Sequence, residues 1–160
     1  MDYILFSYIL MLAVFIGYVG YIWSKYGVLK SISQSYYELP KNLQPLFTFF
    51  CWGFALPAII LGSSGLMFLA GAGICFVGAA AAFQEQMTHE VHMVGAGIGV
   101  AASQLAIAIQ YGMWPVSVAF IGISLLLLLF RKQINFKHIW WIEIFAFLSI
   151  CIVLGIKVIF

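Results

Sequence analysis

The stretch LAGAGICFVGAAAAF, Leu69–Phe83, sets the architecture of this chain, because nine of its fifteen residues are glycine or alanine and none is charged. A second small-residue run, VGAGIGVAAS at Val94–Ser103, follows after one polar segment. In the second run Gly95, Gly99 and Ser103 recur every four residues, a spacing that lets two helix backbones approach closely in lipid. We therefore predict that both runs are membrane helices, packed together as the central hairpin of a helical bundle.

Small residues also recur at helical spacing in the first run, whereas a later apolar run contains mainly bulky side chains. Ala70, Gly78 and Ala82 are separated by multiples of four residues and are predicted to share one helix face. The run SLLLLLF, Ser124–Phe130, is bulky and featureless, and we expect it to face lipid.

The composition of the whole chain is that of an integral membrane protein. Of its 160 residues, 65% are hydrophobic and 8% are charged, whereas about a quarter of the residues in soluble domains are charged. A water-soluble fold would therefore expose far too much apolar surface. The net charge of +2 is too small to indicate a nucleic-acid surface, so no nucleic-acid partner is predicted. The three cysteines lie in apolar runs and are expected to pack as small side chains.

Six apolar segments are long enough to cross a bilayer, which takes about 17–25 residues as a helix. The predicted fold is therefore all-α, a polytopic bundle of six transmembrane helices that forms a single domain over residues 1–160. The predicted spans are Tyr3–Trp23, Pro45–Leu61, Gly65–Phe83, Val91–Tyr111, Trp114–Phe130 and Ile139–Phe160.

The distribution of basic residues predicts the orientation of these spans. Six of the seven lysines and arginines lie in the first and fifth loops, and such an excess marks the cytoplasmic side. Loops one, three and five are then cytoplasmic and both termini lie outside, in what we expect to be a bacterial inner membrane. Lys157 lies elsewhere and is expected to reach the outer headgroups.

The segment QEQMTHEVHM, Gln84–Met93, gathers charge between the two small-residue runs. If the fourth helix extends backward through it, Glu85, His89 and His92 stand at i, i+4 and i+7 on one face. Two imidazoles and a carboxylate resemble the set that holds a divalent metal with open positions. His138 begins the last span on the same side of the membrane and is a fourth candidate ligand.

Other interpretations of this segment remain open. Its side chains are also typical of a polar connection between helices at a membrane surface, where histidines bind loop carbonyls. Haem ligation is a third interpretation, but it needs an axial histidine deeper in the bundle than any of the three histidines here.

Three residues are candidates for catalysis rather than metal binding. Ser33, in the polar stretch SISQSYYELPKN, could act as a nucleophile if a histidine lay within reach, although such serines usually cap helices or satisfy turns. Glu90 could act as a base beside a metal. Glu143 lies about one turn inside the last span, where a lysine or histidine partner is expected. The polar stretch itself is expected to tuck against the bundle.

Two short motifs resemble those of a known family. Ser31-Ile32-Ser33 after the first span and His92-x-x-Gly95-Ala96 at the start of the fourth are similar to motifs of the DRAM/Sfk group of six-span membrane proteins, which includes bacterial relatives of unknown function. The resemblance implies a six-helix, lipid-associated membrane protein with no established chemistry.

The sequence supports three hypotheses of function. The first is a non-enzymatic module that interacts with membrane lipids, with other membrane subunits or with copies of itself, and it follows from the absence of ionisable residues at mid-membrane depth. The second is a metal-dependent hydrolase of lipid headgroups that uses Glu85, His89 and His92. The third is an oligomeric pore-forming effector with a hydrophobic gate.

Overall fold

The computed structural model describes residues 3–62, 65–83 and 89–160, with Phe83 and residues 89–93 described by their backbone alone. Over these residues the chain is helical and contains no strand, as predicted. A short π-helix, Ala106–Gln110, continues α5. The α-helices are α1 (Tyr3–Tyr26), α2 (Ser35–Glu38), α3 (Pro45–Gly62), α4 (Leu66–Phe83), α5 (His89–Leu105), α6 (Trp114–Leu129) and α7 (His138–Ile159).

The long helices match the predicted apolar segments to within three residues at each end, when the π-helix is counted as the end of α5. Pro45 begins α3, where its missing N–H costs nothing, and Pro57 lies inside the same helix. Helices α1, α3 and α7 are long and apolar enough to cross a membrane. Helices α4, α5 with its π-helix, and α6 are also apolar but shorter.

Five of the helices pack around a common centre. The neighbouring pairs are α1 with α3, α3 with α4, α4 with α5, α5 with α7, and α7 with α1. Helix α6 lies outside this group, against α7 and the π-helix. Leu125, Leu126 and Leu129 of α6 are more than half exposed, so the leucine-rich run lies on the outside of the bundle.

The predicted contact between α4 and α5 is a contact between backbones. A Cβ atom built on Gly73 would lie 2.8 Å from the carbonyl oxygen of Gly95 and 2.9 Å from the amide nitrogen of Gly99. A Cβ atom on Gly99 would lie 3.6 Å from the carbonyl oxygen of Ala70. Because the obstructing atoms belong to the main chain, they have no rotamer by which to move away. The centre of this contact is Gly73.

Gly78 faces α3 rather than α5. A Cβ atom on Gly78 would lie 2.7 Å from Cβ of Cys51 and 3.0 Å from the Trp52 ring, both on α3. The physical reason is helix pitch. Each step of four residues turns about 40° beyond a full revolution, so eight residues rotate the face by about 80°.

The end of the bundle away from loop one is tied together by polar contacts to the backbone. The side chain of Gln110 accepts a hydrogen bond from the Met67 amide and donates one to the Gly62 carbonyl, each at 3.3 Å. The Lys157 ammonium donates to the carbonyl oxygen of Leu61 at 2.9 Å and lies 5.5 Å from the centre of the Tyr111 ring. Lys157 therefore caps the C-terminus of α3, which the sequence did not predict.

Candidate ligand cavity at the loop-one end

Loop one folds back onto the bundle, as expected for its polar stretch. Ile32, Ser33 and Ser35 are buried, although two of them are serines. The Ser35 hydroxyl donates to the carbonyl oxygen of Ile32 and shares a 2.6 Å hydrogen bond with the Tyr18 hydroxyl of α1. The Trp140 amide donates to the carbonyl oxygen of Lys30 at 3.0 Å. These bonds satisfy the polar groups of a segment that would otherwise be costly to bury.

The carboxyl group of Glu143, on α7, binds this segment of loop one. Its Oε2 atom accepts a hydrogen bond from the Ile32 amide at 2.5 Å, between residues 111 positions apart in sequence. We expected a lysine or histidine as its partner, and the described contact is instead a backbone N–H group. Because this bond joins residues far apart in the chain, Glu143 anchors loop one to α7.

Ile32 and Glu143, the two residues of this contact, both line a cavity of about 60 Å³. A water molecule needs about 10–15 Å³ measured in this way, so the space would hold about four waters or a group of similar size. Loop one, α3, α4, α5 and α7 all contribute to its wall. The lining residues are Ile32, Ser33, Phe47, Phe50, Cys51, Ile74, Val77, Ala96, Gly99, Val100, Ser103, Glu143, Ala146, Phe147 and Ile150.

Two of the predicted catalytic candidates meet at this cavity. Ser33 comes from loop one and Glu143 from α7, and both line the same space. A third polar side chain, Ser103 of α5, also lines it, and its hydroxyl donates to the carbonyl oxygen of Val100 at 2.8 Å. The rest of the wall is apolar or aromatic. The cavity therefore offers one carboxylate and two hydroxyl groups against a hydrophobic background.

The predicted metal ligands fall mostly beyond what the structure describes. Glu85 lies outside the described residues. Helix α5 begins at His89, so His89, Glu90 and His92 lie in its first turns by their backbone, while their side chains are outside the description. His138 begins α7, and its Nδ1 atom is buried without a hydrogen-bond partner in the described part of the chain. Over the described side chains no three metal-binding groups come together. The metal site stays a prediction.

The cavity-lining residues of two helices follow a helical spacing that is visible in the sequence. Glu143, Ala146, Phe147 and Ile150 stand at i, i+3, i+4 and i+7, which is one face of α7. The cavity residues of α5 repeat the same spacing from residue 96 to residue 103. Such stripes are hard to recognise in helices that are apolar on every side, because no polar face contrasts with them.

Comparison of the chain with protein-family models, with curated proteins and with solved structures finds no match. The resemblance of the Ser31–Ser33 and His92–Ala96 motifs to the DRAM/Sfk group therefore stays a prediction.

Proposed function

We propose that this chain is an integral membrane protein whose six long apolar segments all cross the bilayer. Helix α4 has 18 residues and is about 27 Å long at 1.5 Å per residue, close to the roughly 30 Å of hydrocarbon. The shorter α6 needs only a modest tilt or local thinning of the bilayer. The close packing of α4 between α3 and α5 supports a common depth for these helices.

The proposed orientation places loops one, three and five in the cytoplasm and both termini outside, in a bacterial inner membrane. Its support is the concentration of basic residues in loops one and five. Asn42 and Gln133 are exposed in these loops, and Phe160 is 99% exposed at the other end. In a cysteine-free background, Asn42→Cys and Gln133→Cys should both resist a membrane-impermeant maleimide in intact cells, and Phe160→Cys should react. Labelling of Asn42→Cys and Gln133→Cys from opposite sides would overturn the six-span topology.

We further propose that the protein is a non-enzymatic, lipid-interacting module, with the loop-one cavity as the binding site. The observation that carries this proposal is the composition of the cavity wall. It is mostly apolar and aromatic, with a carboxylate and two hydroxyl groups, and ligand sites of this kind combine a hydrophobic lining with a few polar groups that orient the ligand. An amphiphile from the surrounding membrane meets both requirements.

Filling the cavity tests this proposal. Ala96 lines the cavity, while Ala101 is exposed on the same helix. The Ala96→Phe and Ala101→Phe variants would be purified in nanodiscs containing a photoactivatable lipid amphiphile. Cross-linked peptides would then be mapped by mass spectrometry. We expect cross-links to cavity-lining peptides in the wild type and in Ala101→Phe, and loss of these cross-links in Ala96→Phe. Equal cross-linking in all three proteins would contradict binding in the cavity.

A further inference from the structure

Glu143 is the one carboxyl group among the residues that line the cavity. Its Oε2 atom accepts from the Ile32 amide, and Oε1 has no hydrogen bond to any part of the chain that the structure describes. None of the lysines, arginines or histidines with described side chains forms an ion pair with it. Lys157, for example, caps the C-terminal end of α3 instead. A half-buried carboxyl group that lines a cavity offers an ion-pair partner to a cation that enters it.

The aromatic wall of the cavity favours the same kind of charge. Phe47, Phe50 and Phe147 line the cavity together with Glu143. The ring centres of Phe50 and Phe147 lie 5.4 Å apart and the ring planes meet at 59°, so the two rings present faces and edges in different directions. The face of an aromatic ring attracts an ammonium group within about 6 Å of its centre. A carboxylate beside several phenyl rings is thus suited to an organic cation.

We propose that the cavity binds the ammonium head of a single-chain amine amphiphile drawn from the membrane. The inference rests on the proposed function and names its ligand class. A volume of about 60 Å³ holds a head of only a few atoms, so the hydrocarbon chain lies along the apolar helices and contributes affinity there. An anionic head disfavours the ionised form of Glu143, and an uncharged alcohol can form only a hydrogen bond with this side chain, whereas an ammonium head can also form an ion pair.

Cys51 provides the readout, because it lines the cavity and is 3% exposed. In a Cys75→Ser, Cys151→Ser background, alkylation of Cys51 by a membrane-permeant thiol reagent reports whether the cavity is occupied. The protein in dodecyl maltoside would be titrated with dodecylamine, dodecanol and dodecyl sulfate, with butylamine as the water-soluble amine. We expect dodecylamine to protect Cys51 at concentrations about tenfold or more below those needed for the other three, which is the scale of one charge-assisted contact.

Two variants separate the role of Glu143 from general effects of charge. Glu143→Gln keeps the shape of the side chain, and Glu38→Gln alters an exposed carboxylate that accepts from the Gln34 side chain. Protection by dodecylamine should weaken about tenfold or more in Glu143→Gln and should be unchanged in Glu38→Gln. The comparison of head groups on the wild-type protein stands even if Glu143→Gln fails to fold.

The outcomes distinguish this inference from the proposal on which it rests. Equal protection by dodecylamine and dodecanol would refute recognition of an ammonium group and leave binding of lipid in the cavity intact. Butylamine as effective as dodecylamine would refute a membrane source for the amine. Protection that persists in Ala96→Phe would show that the amphiphile acts elsewhere, and both proposals would then fall.

Discussion

Replacement of Gly73 by alanine tests the backbone contact between α4 and α5. The added Cβ atom would meet main-chain atoms of Gly95 and Gly99 at 2.8 and 2.9 Å, whereas ordinary contact begins near 3.4 Å. The helices must then separate by about 0.5–0.6 Å along their closest line. Overpacking costs about 1–3 kcal/mol, and alanine recovers about 0.5–1 kcal/mol over glycine inside a helix. Because no side chain can rotate away, we expect a net loss of about 1–2 kcal/mol.

Equilibrium unfolding in mixed micelles of dodecyl maltoside and dodecyl sulfate, followed by tryptophan fluorescence, would measure this loss. A change of 1–2 kcal/mol alters the ratio of folded to unfolded protein by about 5–30-fold. Gly97→Ala is the matched control, since a Cβ atom on Gly97 meets nothing within 4 Å, and we expect it to be as stable as the wild type or slightly more so. If Gly73→Ala proved as stable as Gly97→Ala, the close approach of the two backbones would be refuted.

Three further substitutions probe the polar contacts of the bundle. Tyr18→Phe removes the hydrogen bond to Ser35 and should destabilise the docking of loop one by about 0.5–1.5 kcal/mol, seen as faster amide exchange in residues 31–39. Lys157→Met removes the cap from the Leu61 carbonyl and should lower the free energy of unfolding by about 1 kcal/mol. Gln104→Leu removes a buried amide that donates to a serine of α7 but whose oxygen has no partner in the described structure, so its effect should stay within about 1 kcal/mol.

Exposed residues of the same types provide the controls. Tyr3→Phe, Lys41→Met and Gln133→Leu change side chains at the ends or loops of the bundle, and each should leave stability unchanged. Amide exchange in loop one that is no faster in Tyr18→Phe than in Tyr3→Phe would contradict the role of the Tyr18 hydroxyl. A loss of several kcal/mol in Gln104→Leu would show that the amide contributes more than its described bond.

Much of the secondary structure could be predicted because its signals are local. The apolar runs are close to the length of a membrane helix, and Pro45 and Trp114-Pro115 mark helix starts that the structure confirms. The small residues at Gly95 and Gly99 correctly indicated a close contact. The sequence does not distinguish Gly73, because glycine and alanine occur on every side of α4, and composition cannot tell which of them faces the neighbouring helix.

The set of residues that meet at the cavity could not be predicted from local sequence patterns. Glu143 stood out as a charge inside an apolar span, but its hydrogen-bond partner, Ile32, is 111 residues away in the sequence. The phenyl rings that accompany it come from α3 and α7, and their neighbours in the sequence are equally apolar. Which rings converge depends on how each helix is rotated about its axis, and the sequence of a helix that is hydrophobic all round does not specify that rotation.

By itself, the sequence determined that this is a helical protein with apolar helices of membrane-compatible length, about where its long helices begin and end, and that its charged residues are concentrated in a few segments. These properties depend on hydropathy and backbone sterics within about 20 residues. The tertiary structure alone decided that Gly73 meets Gly95 and Gly99, that Lys157 caps α3, and that loop one closes a cavity over Glu143. Those contacts join residues far apart in the chain, and they form only because the packing of whole helices fixes the rotation of each one.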